Sequence, residues 1–177
     1  MRKTHDRRDA SQALSGAEGC RFALVVSRFN DGVTTRLRDR ARAALSEAGA
    51  AAGDVEEFSV PGAFELPQAA RGLAETGRFD AIVALGCVIR GETPHFEYIS
   101  SAVAHGLMSA AGDTGVPMSF GVLTTDTQAQ AMARAGEGPD NKGFEAAAAA
   151  IEMARLFRQL RADGRFPGGV QGAPPTK

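Results

Sequence analysis

The chain has 177 residues, of which 44% are hydrophobic and 23% charged, and its formal net charge is −1 at pH 7. That length suits one domain with a sizeable core. A charge this close to zero offers no broad field to nucleic acid or to an anionic membrane, so any anion site must be local.

The opening residues 1–19 are polar, and MRKTHDRRDASQ lacks the apolar centre of a secretory signal. Aspartates among its basic residues argue against a mitochondrial transit peptide. The segment is expected to be disordered in part. RFALVVSRF then reads as a buried strand centred on residues 22–26. NDGVTTRLRDRARAALSEAG gives a turn and an amphipathic helix that ends at Gly49. DVEEFSV is a second strand, stopped by Pro61 and Gly62, and AFELPQAARGLAETG is a short helix stopped by Gly77.

FDAIVALGCVI is the third and most apolar strand. In PHFEYISSAVAHGLMSAAGDTG apolar residues recur three and four apart, the helical period. VPMSFGVLTT is a fourth strand, and DTQAQAMARAG a helix with Asp126 as its expected cap. GEGPDNKG links to the long helix FEAAAAAIEMARLFRQLR. Residues 20–162 thus form one domain, and 163–177 are expected to be a flexible tail. No run is apolar enough to span a bilayer. Strands alternating with helices predict a three-layer α/β/α sandwich on a four-stranded parallel sheet, flavodoxin-like in class. Ligands of such sheets bind beyond the carboxyl ends of the strands, here the loops after Val26, Val60, Ile89 and Leu123.

Those loops hold the residues that could do chemistry. In RGETPH, Thr93 can cap a helix whose first position suits Pro94, and Gly91 admits close approach of backbone to a ligand. The free N–H groups at such a start attract phosphate, although an ordinary capped helix has the same pattern. His95 in that first turn could move protons near neutral pH, or be a half-exposed helix histidine. His105 falls on a different face and reads as structural or solvated; His5 is assigned nothing.

Phe29, at the end of the first strand, offers a ring for stacking or covers the sheet edge. Glu65 suits either a helix start or hydroxyl groups of a ligand. Arg134 closes a short helix, where cations are favoured anyway, whereas Lys142 opens one, a mild misfit with the helix dipole. Phe120 reads by itself as a buried strand residue. Cys20 and Cys87 follow no metal or framework spacing and read as reduced thiols of a cytosolic protein, Cys87 as buried and inert. The nucleotide-binding patterns G-x-G-x-x-G and G-x-x-x-x-G-K-[ST], a serine elbow and zinc-spaced histidines are missing.

Taken in order, SRFN, VPGAFELP, ALGCVIRGETPHFEYIS, VPMSFGVLTTDTQAQAMARAG and NKGFEAAAAAIEMA resemble the lumazine synthase family, from about residue 21 to 160. The resemblance implies condensation of 5-amino-6-(D-ribitylamino)uracil with 3,4-dihydroxy-2-butanone 4-phosphate. The products are 6,7-dimethyl-8-ribityllumazine, phosphate and water. It implies no metal or organic cofactor, and a pocket between neighbours in a ring of five copies. Phe29 is then expected to stack on the pyrimidine, Glu65 to hold ribityl hydroxyls, and Val88 and Ile89 to wall the heterocycle. Ala63, Phe64 and Cys87 join them among the substrate-binding residues. Gly91, Glu92 and Thr93 are expected to cradle the phosphate and His95 to shuttle protons. Phe120, Arg134 and Lys142 are expected to come from the adjacent copy.

Two stretches depart from the family pattern. Many relatives open with an apolar strand that joins a neighbour's sheet, whereas RRDASQALSG is polar here. Shell-forming relatives resemble GTKAG before the last helix, where this chain has GEGPD. A pentamer is expected, with a larger shell left open. Rival readings are a flavin- or nucleotide-binding module of the same fold, a catalytically weak paralogue that binds flavin or lumazine or forms a shell, and a related riboflavin-pathway enzyme of the same fold.

Overall fold

The structure, a computed structural model, describes residues 14–138 and 140–164. Within them strands and helices alternate: β1 (Phe22–Ser27), α1 (Asp31–Glu47), β2 (Val55–Val60), α2 (Leu66–Glu75), β3 (Ala81–Ile89), α3 (His95–Thr114), β4 (Met118–Thr125), α4 (Gln128–Arg134) and α5 (Lys142–Ala162). The strands pair in parallel in the order β2-β1-β3-β4. The connection from β1 runs to one side and the rest of the chain builds on the other. The order therefore reverses between β1 and β3, where an open parallel sheet leaves a crevice.

The central strands are apolar except for Ser27 at the end of β1, because both sheet faces are covered. Side chains alternate between the faces. Phe22, Leu24, Val26, Val83 and Leu85 pack with α1 and α5 residues such as Leu37, Leu45 and Ile151. Ala23, Val25, Ile82 and Ala84 pack with Leu66, Ala70, Val103 and Leu107 of α2 and α3. Burying each of these Leu, Ile or Val side chains contributes about 2 kcal/mol. The expected three-layer α/β/α architecture is what the chain adopts.

Two glycines set the geometry near the ends of helices. Gly115, at φ 65°, closes α3 in the left-handed conformation and turns the chain toward β4. Gly143, in the first turn of α5, packs so tightly on α1 that a Cβ there would lie 2.0 Å from the Leu37 carbonyl oxygen. Asn141 caps this helix, its Oδ1 accepting from the N–H groups of Gly143 and Phe144 at 2.8 and 3.3 Å.

Some local expectations need correction. The helix expected after Pro61 begins as a 3₁₀ turn, Ala63–Glu65, before α2. Thr93 does not cap α3: the helix starts at His95, Pro94 occupies the cap position, and no side chain closes the end. A proline at the cap stiffens the entry but supplies no acceptor. Asp126 does not cap α4 either. Thr127 takes that place, its side chain accepting from the Gln130 N–H at 3.2 Å. At the polar start, Ala17 is buried and donates its N–H to the Ala48 carbonyl at 3.1 Å. Residues 1–13, with His5, and 165–177 of the tail lie outside the described residues.

Candidate active site

The crevice between β1 and β3 is built by backbone links between successive strand ends. Beyond β1, the N–H groups of Arg28 and Phe29 donate to the Val60 and Pro61 carbonyls at 2.9 and 3.2 Å. Asn30 turns the chain at φ 60°, a left-handed conformation that Asn tolerates better than most residues. Its Nδ2 donates to the Cys87 carbonyl at 2.9 Å. Phe29 is thereby held out of the core, 69% exposed, on the rim facing the end of β3.

Around that rim lies a hollow of about 370 Å³. Phe29, Ala63, Phe64, Cys87, Val88 and Ile89 supply its apolar wall. Gly91, Thr93 and His95 supply its polar end, where α3 begins. Nine of the expected site residues therefore converge on one surface. Glu65 sits beside it, half-buried, with Oε2 accepting the Gly62 N–H at 2.9 Å. Gly62 itself lines the hollow. Glu92 stands exposed in the loop between Gly91 and Thr93. Burial pushes the Cys87 thiol up to about 11, so it is a neutral wall residue at physiological pH, as expected for an inert thiol.

Phe120, Arg134 and Lys142 gather elsewhere. They line a second hollow, of about 410 Å³, along the outer side of the edge strand β4 and the start of α5. The two hollows share no lining residue. Phe120 is 46% exposed, which corrects its reading as a buried strand residue: it lies on an edge strand, with no further strand beyond it to cover the ring. Lys142 is held by Glu145, with Nζ 2.6 and 2.7 Å from the two carboxylate oxygens. Arg134 donates from Nη1 to the Gln130 carbonyl at 3.1 Å and has no carboxylate partner among the described residues. Its remaining N–H groups suit an anion.

Several contributors escaped the reading of the sequence. Phe96 and Ile99 also line the first hollow, and Ile99 lies one turn beyond His95 on the same helix face. Glu145 lies three residues from Lys142, a spacing that predicts their contact. The link from Asn30 to Cys87 joins residues 57 apart and left no local signal. Among the described residues no group of three or more His, Cys, Asp or Glu could hold a metal, and no helix is long and apolar enough to cross a membrane.

Fold and crevice together define a flavodoxin-like α/β protein with an apolar-walled, helix-ended pocket at the reversal point of its sheet. A profile of the family described as 6,7-dimethyl-8-ribityllumazine synthase matches residues 19–158. The 6,7-dimethyl-8-ribityllumazine synthase of Syntrophus aciditrophicus (strain SB) is 54% identical over 144 residues, covering 81% of this chain and 94% of that relative. The chain belongs to the 6,7-dimethyl-8-ribityllumazine synthase family.

Proposed function

We propose that this chain is a transferase of riboflavin biosynthesis that makes 6,7-dimethyl-8-ribityllumazine at a site shared between neighbouring copies. It condenses 5-amino-6-(D-ribitylamino)uracil with 3,4-dihydroxy-2-butanone 4-phosphate and releases phosphate and water. One observation carries the shared site: all the expected residues but Glu65 and Glu92 line two hollows with no residue in common, one of them along an open strand edge. Phe29 through His95 come from one copy, and Phe120, Arg134 and Lys142 from the next, in a ring of five. The ring is cytoplasmic and uses no cofactor.

In this reading the Phe29 ring stacks on the pyrimidinedione, and Val88 and Ile89 close its other sides. Glu65 has one oxygen committed to Gly62 and keeps the other for ribityl hydroxyls. Gly91, Glu92 and Thr93 hold the ketone's phosphate at the start of α3, where unpaired N–H groups and the helix dipole favour an anion. Arg134 of the neighbouring copy adds a guanidinium to the same phosphate. Its Lys142 reaches the pyrimidine side.

The chemistry needs little more than alignment and proton transfer. The aryl amine adds to the ketone carbonyl, and loss of water gives an imine. The phosphate leaves with its electron pair after a proton is removed from carbon, and the resulting enol takes up a proton on carbon to become a ketone. The ribitylamino nitrogen adds to that carbonyl and closes the ring with loss of a second water. His95 stands beside the phosphate loop, placed to take and return protons. Holding two flat reactants in register supplies much of the rate.

Two variants test the shared site. His95→Ala and Arg134→Ala are each expected to be impaired alone. Dissociated, mixed in equal amounts and reassembled, they should regain lumazine fluorescence, because about a quarter of the sites pair two intact halves. A mixture no more active than its components would refute the proposal.

A further inference from the structure

Arg90 follows β3 and immediately precedes the loop of Gly91, Glu92 and Thr93. Its backbone N–H donates to the Thr125 carbonyl at the end of β4, at 2.8 Å. Its guanidinium is gripped from two sides: Nε donates to Asp126 Oδ1 at 2.8 Å and Nη1 to Glu97 Oε1 at 2.5 Å. It also lies over the Phe96 ring, 4.3 Å from the centroid. Asp126 follows β4 and Glu97 lies in the first turn of α3. One side chain therefore spans three elements: the ends of β3 and β4, and the start of the helix that carries His95.

The loop it brackets has little else to hold it. Residues 91–95 are exposed, a Cβ on Gly91 would meet nothing within 4 Å, and no side chain caps α3. Arg90 is also a poor candidate for a direct phosphate ligand. Two carboxylates already occupy its fork, and they leave the cluster with a net negative charge. Exposed ion pairs add little to global stability, so such a cluster matters through geometry.

Resting on the proposed function, we propose that Arg90 is a positioning residue: its grip on Asp126, Glu97 and Phe96 sets the phosphate loop and His95 against the sheet. A flat, forked, stackable cation is needed, which lysine does not supply. A misplaced loop weakens phosphate and slows turnover without disturbing the pyrimidine wall.

The test uses full-length Arg90→Ala, Arg90→Lys, Asp126→Ala and the Arg90→Ala/Asp126→Ala double variant. Binding of inorganic phosphate by calorimetry is measured beside kcat and KM for each substrate. Both alanine single variants should weaken phosphate and lower kcat/KM for the ketone by about 10- to 100-fold. The pyrimidine KM should stay near that of the parent, the double variant should be no worse than the worse single, and lysine should not restore affinity. Asp126 is exposed, so its variant keeps the test open if Arg90→Ala fails to fold. Tighter or unchanged phosphate in Asp126→Ala beside a loss in Arg90→Ala overturns the proposal, because the guanidinium is then itself the ligand. Full rescue by lysine, or equal losses for both substrates, also overturns it. The phosphate arm needs no turnover, so parent protein that binds phosphate yet forms no lumazine counts against the proposed function alone.

Discussion

The Asn30 side chain donates from Nδ2 to the carbonyl of Cys87 at 2.9 Å, joining the turn after β1 to the end of β3. This bond and the left-handed backbone of Asn30 act at the same place, and two substitutions separate them. Asn30→Gly keeps the turn and loses the hydrogen bond, at about 1 kcal/mol. Asn30→Ala loses the hydrogen bond and also puts in the left-handed region a residue that tolerates it less well than asparagine, for a total of about 2–3 kcal/mol. Denaturant unfolding of the two variants should show that order.

His95→Ala should slow lumazine formation by about 10²–10⁴-fold, the usual contribution of one acid–base group. Binding and alignment remain, so the rate should still exceed the uncatalysed condensation. A parent-like rate in this variant, followed by fluorescence, would refute the role of His95, and a rate no higher than the background would refute the modest size of its contribution.

Arg134→Ala should raise KM for the phosphorylated ketone by about 10- to 100-fold, the worth of one charge-assisted hydrogen bond. The pyrimidine KM should change little. Unchanged affinity for inorganic phosphate would remove Arg134 from the anion site.

The buried Cys87 thiol makes stability depend on pH. Burial raises it from 9.0 to about 11, so the folded chain holds its proton more firmly than the unfolded chain. The associated stability is fully present below pH 9.0 and is lost as pH rises toward about 11. Compared with Cys87→Ala, the parent should lose stability across that window and differ little in its pH slope below it. Alkylation of Cys87 in the folded protein at pH 8 should be slow.

Gly143→Ala sets two effects in opposition. Alanine is the better helix former by about 1 kcal/mol, but the added carbon would press on the Leu37 carbonyl. The clash should win, with a net loss of about 2 kcal/mol. Activity should fall too, because Lys142 adjoins the displaced turn. A stabilised variant in thermal unfolding would contradict the tight contact between α1 and α5.

Continuous apolar runs mark the interior strands, which are covered on both faces, and apolar residues three and four apart mark the helices. Helix starts were harder. Thr93 and Asp126 both have capping chemistry, yet Pro94 holds the cap position of α3 and Thr127 caps α4. Which of two adjacent polar residues turns inward depends on tertiary partners: Asp126 is taken by Arg90, from 36 residues away. The rim of the first hollow could be read because its residues end strands. Phe120 could not, since exposure of an edge-strand ring depends on which strand lies outermost. The roles assigned to these residues rested on the ordered family motifs rather than on any single pattern.

Two hollows with no common residue also have a consequence for concentration. On the proposed reading, a solitary copy holds the pieces of a catalyst but no complete one. Output per chain should then collapse on dilution below the point where rings come apart. An excess of His95→Ala copies added to such a dilute sample should revive it, by lending intact β4 edges to its idle pockets.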